Sequence, residues 1–137
     1  MSVYVVDTSV TLAWYFDEAF SAAAREWQSR LLGGKARLLI PSLHYWEFAN
    51  ALRTLVIRRE IDEGTAQEVY DLHLEAPLEP AEPDRRQVLK AAFRYNATVC
   101  DAVFIALAIA HDIPIVTAER TTTEWVKKLG RRVEAVR

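Results

Sequence analysis

Four carboxylates stand where a chain of alternating strands and helices would place working groups. Asp7 follows the apolar run Val3-Tyr4-Val5-Val6, Glu47 sits among aromatic residues in Leu43-His44-Tyr45-Trp46-Glu47-Phe48, Asp101 opens a long apolar segment, and Glu119 follows Ile115-Val116 by way of Thr117-Ala118. In open α/β sheets, reacting groups gather at the carboxyl ends of strands. Grouped carboxylates repel one another and resist ionisation unless a cation neutralises them. The single cysteine, Cys100, and the histidines His44, His73 and His111 show no zinc-ligand spacing, so an oxygen-only donor set points to Mg²⁺ or Mn²⁺. Such a centre ionises and aims a water for in-line attack on a phosphodiester and shields the leaving oxygen, with no amino-acid nucleophile required.

Each acid also has a plainer role. Asp7, ahead of Thr8 and Ser9, can cap a helix, a contribution on the order of 1 kcal/mol. Glu47 shares a helical face with His44, Asn50 and Thr54, a stripe that reads as solvent-exposed; Asn50 is the expected neighbour of Glu47 if the stripe faces a site. Thr98-Val99-Cys100-Asp101 has the spacing of a capping box, which would fix Asp101 at a helix N-terminus, where the macrodipole favours its charge. Glu119 alone is a loop acid. It gains meaning if its strand lies beside that of Asp7, across the reversal of strand order.

The elements that must position these groups follow from the apolar pattern. The 137 residues, 51% hydrophobic, fit one domain over 1–137 with a sizeable core. Val3–Val6 reads as a strand buried on both faces, Ser9–Phe16 as a short helix, and Glu18–Leu32 as an amphipathic helix ended by Gly33-Gly34. Trp14, Tyr15 and Phe16 cannot all face one core, and burial under the following helix or contact with a partner would account for them. Leu38–Ile40, closed by Pro41, is a second strand; Ser42 starts a helix to about Arg58, and Asp62 one to about Glu75. Pro77, Pro80 and Pro83 frame an edge strand near Leu78-Glu79. Asp84 opens a helix to Tyr95 with Val88, Leu89, Ala92 and Phe93 inward and Arg86, Lys90 and Arg94 on another face. A buried helix spans Ala102–Ala110, Ile113–Val116 is a strand, Thr121–Glu124 offers a capping box, and Arg132–Val136 is an edge strand. This alternation predicts a parallel sheet with right-handed crossovers.

Charge and composition limit the partners. The formal charge of -2 excludes a generally basic nucleic-acid coat but leaves room for local basic stripes. From Glu60 to Asp84 the chain carries acids and no lysine or arginine, which reads as a solvated acidic surface. The longest apolar run falls short of the roughly 20 residues needed to cross a bilayer. With one cysteine and no leader pattern ahead of Val3, the expected compartment is the cytoplasm, with no membrane contact.

Taken together, Val5-Val6-Asp7-Thr8-Ser9, Pro41 leading to Glu47-Phe48-Ala49-Asn50-Ala51-Leu52, Cys100-Asp101-Ala102 running into Ile105-Ala106-Leu107-Ala108, and Ile115-Val116-Thr117-Ala118-Glu119 resemble the PIN-domain ribonucleases. Within that family they are similar to the toxin half of VapBC-type toxin–antitoxin pairs. The resemblance spans essentially the whole chain and implies a three-layer α/β/α sandwich with a mainly parallel central sheet. It implies that Asp7 and Asp101 are the principal metal ligands, that Glu47 binds directly or through water, and that Thr117 lies near the site. The family's fourth acid is usually aspartate, and here it is Glu119. The resemblance further implies a homodimer and a cognate antitoxin whose C-terminal segment occupies the active-site groove.

The expected activity is therefore Mg²⁺- or Mn²⁺-dependent endoribonuclease action on RNA. The alternative is a PIN-like scaffold that binds RNA or a partner without cutting. A haloacid-dehalogenase-type phosphatase would want an acid at Ser9, and a phosphorylation receiver would want paired acids after the first strand and a lysine after the last, which this chain does not offer.

Overall fold

The computed structural model describes residues 2–137. Five strands, β1 (Ser2–Val6), β2 (Ala36–Ile40), β3 (Glu79–Pro80), β4 (Ile115–Thr117) and β5 (Val133–Ala135), form one sheet in the order β3-β2-β1-β4-β5, every neighbouring pair parallel. The chain adds β2 and β3 to one side of β1, then returns to lay β4 and β5 on the other. The order of addition thus reverses between β1 and β4. There Val5 pairs with Ile115 and Val6 with Val116, and the Asp7 N–H donates to the Val116 carbonyl at 2.8 Å. The residues that follow both strands emerge side by side.

Seven α-helices complete the fold: α1 (Thr8–Leu12), α2 (Ser21–Leu32), α3 (Leu43–Ile57), α4 (Glu63–Leu74), α5 (Arg85–Tyr95), α6 (Val99–His111) and α7 (Glu124–Leu129). Alternate strand residues point to opposite faces of the sheet, and the core divides accordingly. Val5, Leu39 and Ile115 pack with Ala91 and Ala92 of α5, Ala102 and Phe104 to Ala108 of α6, and Trp125 and Val126 of α7. Val6, Leu38, Ile40 and Val116 pack on the other face with Val10 of α1, Trp14, and Ala24 and Leu31 of α2. This is the expected three-layer α/β/α sandwich. Burial of each large aliphatic side chain stabilises it by roughly 1.5–3 kcal/mol.

Local chemistry sets several helix starts as anticipated. Asp62 accepts from the Thr65 N–H at 2.7 Å, Asp84 from the Arg86 N–H at 2.8 Å, and Thr98 Oγ1 from the Asp101 N–H at 3.1 Å. Elsewhere tertiary packing changes the outcome. α1 stops at Leu12 instead of Phe16, and Trp14 turns inward, its Nε1 donating to the Ala24 carbonyl of α2 at 2.8 Å. α2 starts at Ser21, whose Oγ accepts the Glu18 N–H and donates to the Phe16 carbonyl. On α5, Leu89 and Phe93 are 55% and 80% exposed, not inward; Val88, Ala91 and Ala92 face the core, because small side chains let α5 lie against α6. α7 begins behind Thr123, so Thr121 and Glu124 do not form a box. Among the described residues, no single helix is long and apolar enough to cross a membrane.

Candidate active site at the sheet switch point

Asp7 stands at the N-cap position of α1 but makes no side-chain capping bond. Its Oδ2 instead accepts from Ser9 Oγ at 3.0 Å and from the buried Thr117 Oγ1 at 2.9 Å. Ser9 Oγ also accepts the Ala118 N–H at 3.2 Å, which ties the end of β4 to the start of α1. The capping role open to Asp7 in the sequence is therefore not the one it has. The two hydroxyls after Asp7, which the sequence marks as helix caps, serve instead to orient Asp7 and Glu47.

Glu47 projects from α3 and its Oε1 accepts from Thr8 Oγ1 at 2.9 Å. The polar stripe expected on α3 is split. His44 is fully buried, while Asn50 is exposed and makes no hydrogen bond to Glu47. Thr8, not Asn50, is the neighbour of Glu47, because α1 crosses α3 at the residue following Asp7. Asp101 lies in the first turn of α6, its backbone held by Thr98. Glu119 lies in the turn after β4, where its Oε2 accepts from Thr123 Oγ1 at 3.1 Å and its N–H donates to Thr117 Oγ1 at 3.0 Å.

All four acids are partly buried, and among the described residues none forms a salt bridge. Burial raises the Asp7 carboxyl from 3.8 to about 6; the Thr117 and Ser9 hydroxyls oppose the rise and the charge of Asp101 adds to it. Burial likewise raises Glu47 from 4.5 to about 7, opposed by Thr8 and reinforced by Asp7 and Asp101. Asp101 is raised by burial and then by Glu119. The acids thus feel one another's charge without a protein cation to offset it, the environment that a bound cation would relieve. No three His, Cys, Asp or Glu side chains among the described residues stand close enough to grip an ion as they are.

Nothing in the sequence position of Trp125 marks it for the site. Its Nε1 is the one buried side-chain nitrogen or oxygen without a hydrogen-bond partner among the described residues, yet its indole faces Asp101 and favours the charged form of that acid. The donor set, oxygen ligands with uncompensated charge, suits a hard divalent cation.

A parallel three-layer sandwich with carboxylates at its switch point defines the class of protein. The chain belongs to the PIN domain family, which its sequence matches over residues 4–124. Its fold is similar to that of PAE2754 from Pyrobaculum aerophilum, at 22% identity and a TM-score of 0.71, covering 96% of this chain and 83% of that one. It is also similar to VapBC2 from Rickettsia felis bound to a DNA fragment from their promoter, at 14% identity and a TM-score of 0.66, covering 97% and 98% of the two chains. A third similar structure is VapBC-1 from nontypeable Haemophilus influenzae, at 13% identity and a TM-score of 0.62, covering 98% of each. No curated protein sequence matches the chain significantly.

Proposed function

We propose that this chain is a divalent-metal-dependent endoribonuclease and the toxin of a toxin–antitoxin pair, with residues 1–137 acting as one unit. The observation that carries the proposal is the mutual charge of Asp7, Glu47 and Asp101, with Glu119 beside Asp101, at the carboxyl edge of the sheet in a PIN domain. Asp7 and Asp101 would be the principal ligands of Mg²⁺ or Mn²⁺, with Glu47 completing the set and Glu119 acting from the turn above. When bound, the cation lowers the pKa of water and shields the leaving oxygen of a phosphodiester. Thr117 and Ser9 hold one oxygen of Asp7, and Thr8 holds one oxygen of Glu47. These bonds limit how far either carboxylate can wander when substrate approaches.

Exposed Arg86, Lys90 and Arg94 on α5 and Lys127 on α7 give an RNA backbone cationic contacts in an otherwise acidic protein. Lys128 has less to offer, since it pairs with Glu124 at 3.2 Å and donates to the Arg94 carbonyl. A homodimer and an antitoxin belong to the same proposal. Exposed Trp46, Leu89, Phe93 and Val99 supply apolar surface for a partner to cover, and both VapBC structures similar in fold are of toxin–antitoxin proteins. The expected compartment is the cytoplasm.

A second reading, a scaffold that binds RNA or a partner without cutting, is favoured by the spacing of the acids, no three of which grip an ion as they stand. Incubating labelled total RNA with the purified protein and Mg²⁺ or Mn²⁺, beside an Asp101→Asn variant and an EDTA control, separates the two. Discrete products with the unmodified protein and metal alone support the nuclease. Intact RNA with folded, partner-free protein in both metals overturns it in favour of the scaffold.

A further inference from the structure

Behind Glu47 lies a line of polar side chains that the proposed chemistry does not use. Tyr15 Oη lies 2.8 Å from His73 Nδ1, His73 Nε2 lies 2.8 Å from His44 Nε2, and His44 Nδ1 lies 3.1 Å from Thr8 Oγ1. Thr8 Oγ1 then donates to Glu47 Oε1 at 2.9 Å. Both histidines are fully buried, and Phe48 stacks on His73 with ring centroids 4.1 Å apart and an interplanar angle of 12°. Residues from α1, the following turn, α3 and α4 thus meet in one hydrogen-bonded chain that ends on a site carboxylate.

With Thr8 Oγ1 donating to Glu47, the chemistry of the other groups allows one direction. Burial pushes His44 down to about 3 and His73 down to about 4, so each ring is neutral and carries one proton. Burial pushes the Tyr15 phenol up to about 12, so it keeps its proton. The Thr8 hydroxyl gives its single proton to Glu47 Oε1. Thr8 Oγ1 can then only accept from His44, which must carry its proton on Nδ1. His44 Nε2 is therefore bare and accepts from His73 Nε2–H, which leaves His73 Nδ1 to accept from Tyr15. Four donors point one way, and such chains polarise and strengthen one another.

We propose that Tyr15, His73 and His44 are positioning residues for Glu47, forming a directional hydrogen-bond relay that aims the Thr8 hydroxyl at Oε1 and so holds the orientation of the carboxylate in the site. The inference rests on the nuclease reading for its consequence in catalysis, but not for its geometry. A relay that merely tied the helices together would tolerate either direction. The directional relay requires the two rings to be opposite tautomers, with His44 in the Nδ1–H form, the minor form of a free histidine side chain in water.

The test is nitrogen-15 NMR of the histidine rings in metal-free full-length protein at pH 9, with the exposed His111 as internal reference. The expected result is His44 in the Nδ1–H form and His73 in the Nε2–H form, and a Thr8→Val variant in which His44 loses that fixed preference. Rapid tautomer averaging at both rings, His44 in the Nε2–H form, or a Thr8→Val spectrum unchanged at His44 would each overturn the relay. In RNA cleavage, Tyr15→Phe should lower kcat by about fivefold at unchanged KM, the effect of losing one neutral hydrogen bond behind Glu47. An unchanged kcat would refute the positioning role. A protein with the expected tautomers that cuts no RNA sinks the nuclease reading and leaves the relay standing.

Discussion

Replacing Asp7 by asparagine should stabilise the metal-free protein at alkaline pH while abolishing activity. The Asp7 carboxyl rises from 3.8 to about 6 on folding, chiefly because it is buried and secondarily because Asp101 adds like charge. At about 1.4 kcal/mol for each tenfold change in ionisation, holding that carboxylate charged costs the folded state about 3 kcal/mol. Between the two pKa values the folded chain binds more protons than the unfolded one, so the favourable contribution is complete below pH 4 and lost as pH rises through 6. Asparagine can still accept from Ser9 and Thr117 through its amide oxygen, but carries no charge to desolvate. The stability difference between variant and parent should therefore be close to zero at pH 4 and grow to about 3 kcal/mol at pH 8. Urea unfolding of both proteins in EDTA across this range measures it directly. A variant equally destabilised at both ends would show that Asp7 is a structural anchor whose charge the fold does not resist, and the case for a cation-seeking site would fail with it.

The same uncompensated charge predicts that millimolar Mg²⁺ or Mn²⁺ raises the thermal midpoint of the unmodified protein and leaves Asp7→Asn nearly unmoved; equal shifts in both would indicate binding elsewhere. On the acid side, His44 and His73 have lowered folded pKa values, so the unfolded chain binds more protons below 6.5 and stability falls as pH drops towards 4. Each histidine contributes about 1.4 kcal/mol per pH unit to that slope. His73→Phe should flatten the acid limb by one proton's worth, and an unaltered slope in urea titrations would contradict the buried neutral ring.

Much of the architecture was legible because its causes are local. The β-branched run before Asp7, the caps at Asp62, Asp84 and Thr98, and the apolar segment of α6 each specify an element through neighbours a few residues away. Alternation of strands and helices then limits the fold to a covered parallel sheet, and the acids fall after strands or at helix starts by the same pattern. On α5, period alone marks Leu89 and Phe93 as core; only the close approach of Ala91 and Ala92 to α6 decides otherwise.

The partners of the site residues were decided by the tertiary structure. Thr117 is 110 residues from Asp7, Glu47 is 39 from Thr8, and His73 is 29 from His44. No periodicity links such positions, since hydrogen bonds over these separations exist only once the strand order has reversed between β1 and β4 and α1, α3 and α4 have packed together. The sequence by itself determined which carboxylates, hydroxyls and rings are present and which elements carry them. Folding determined which of them meet, and burial in that arrangement gives Asp7 and Glu47 their raised pKa values and the two histidines their neutral state.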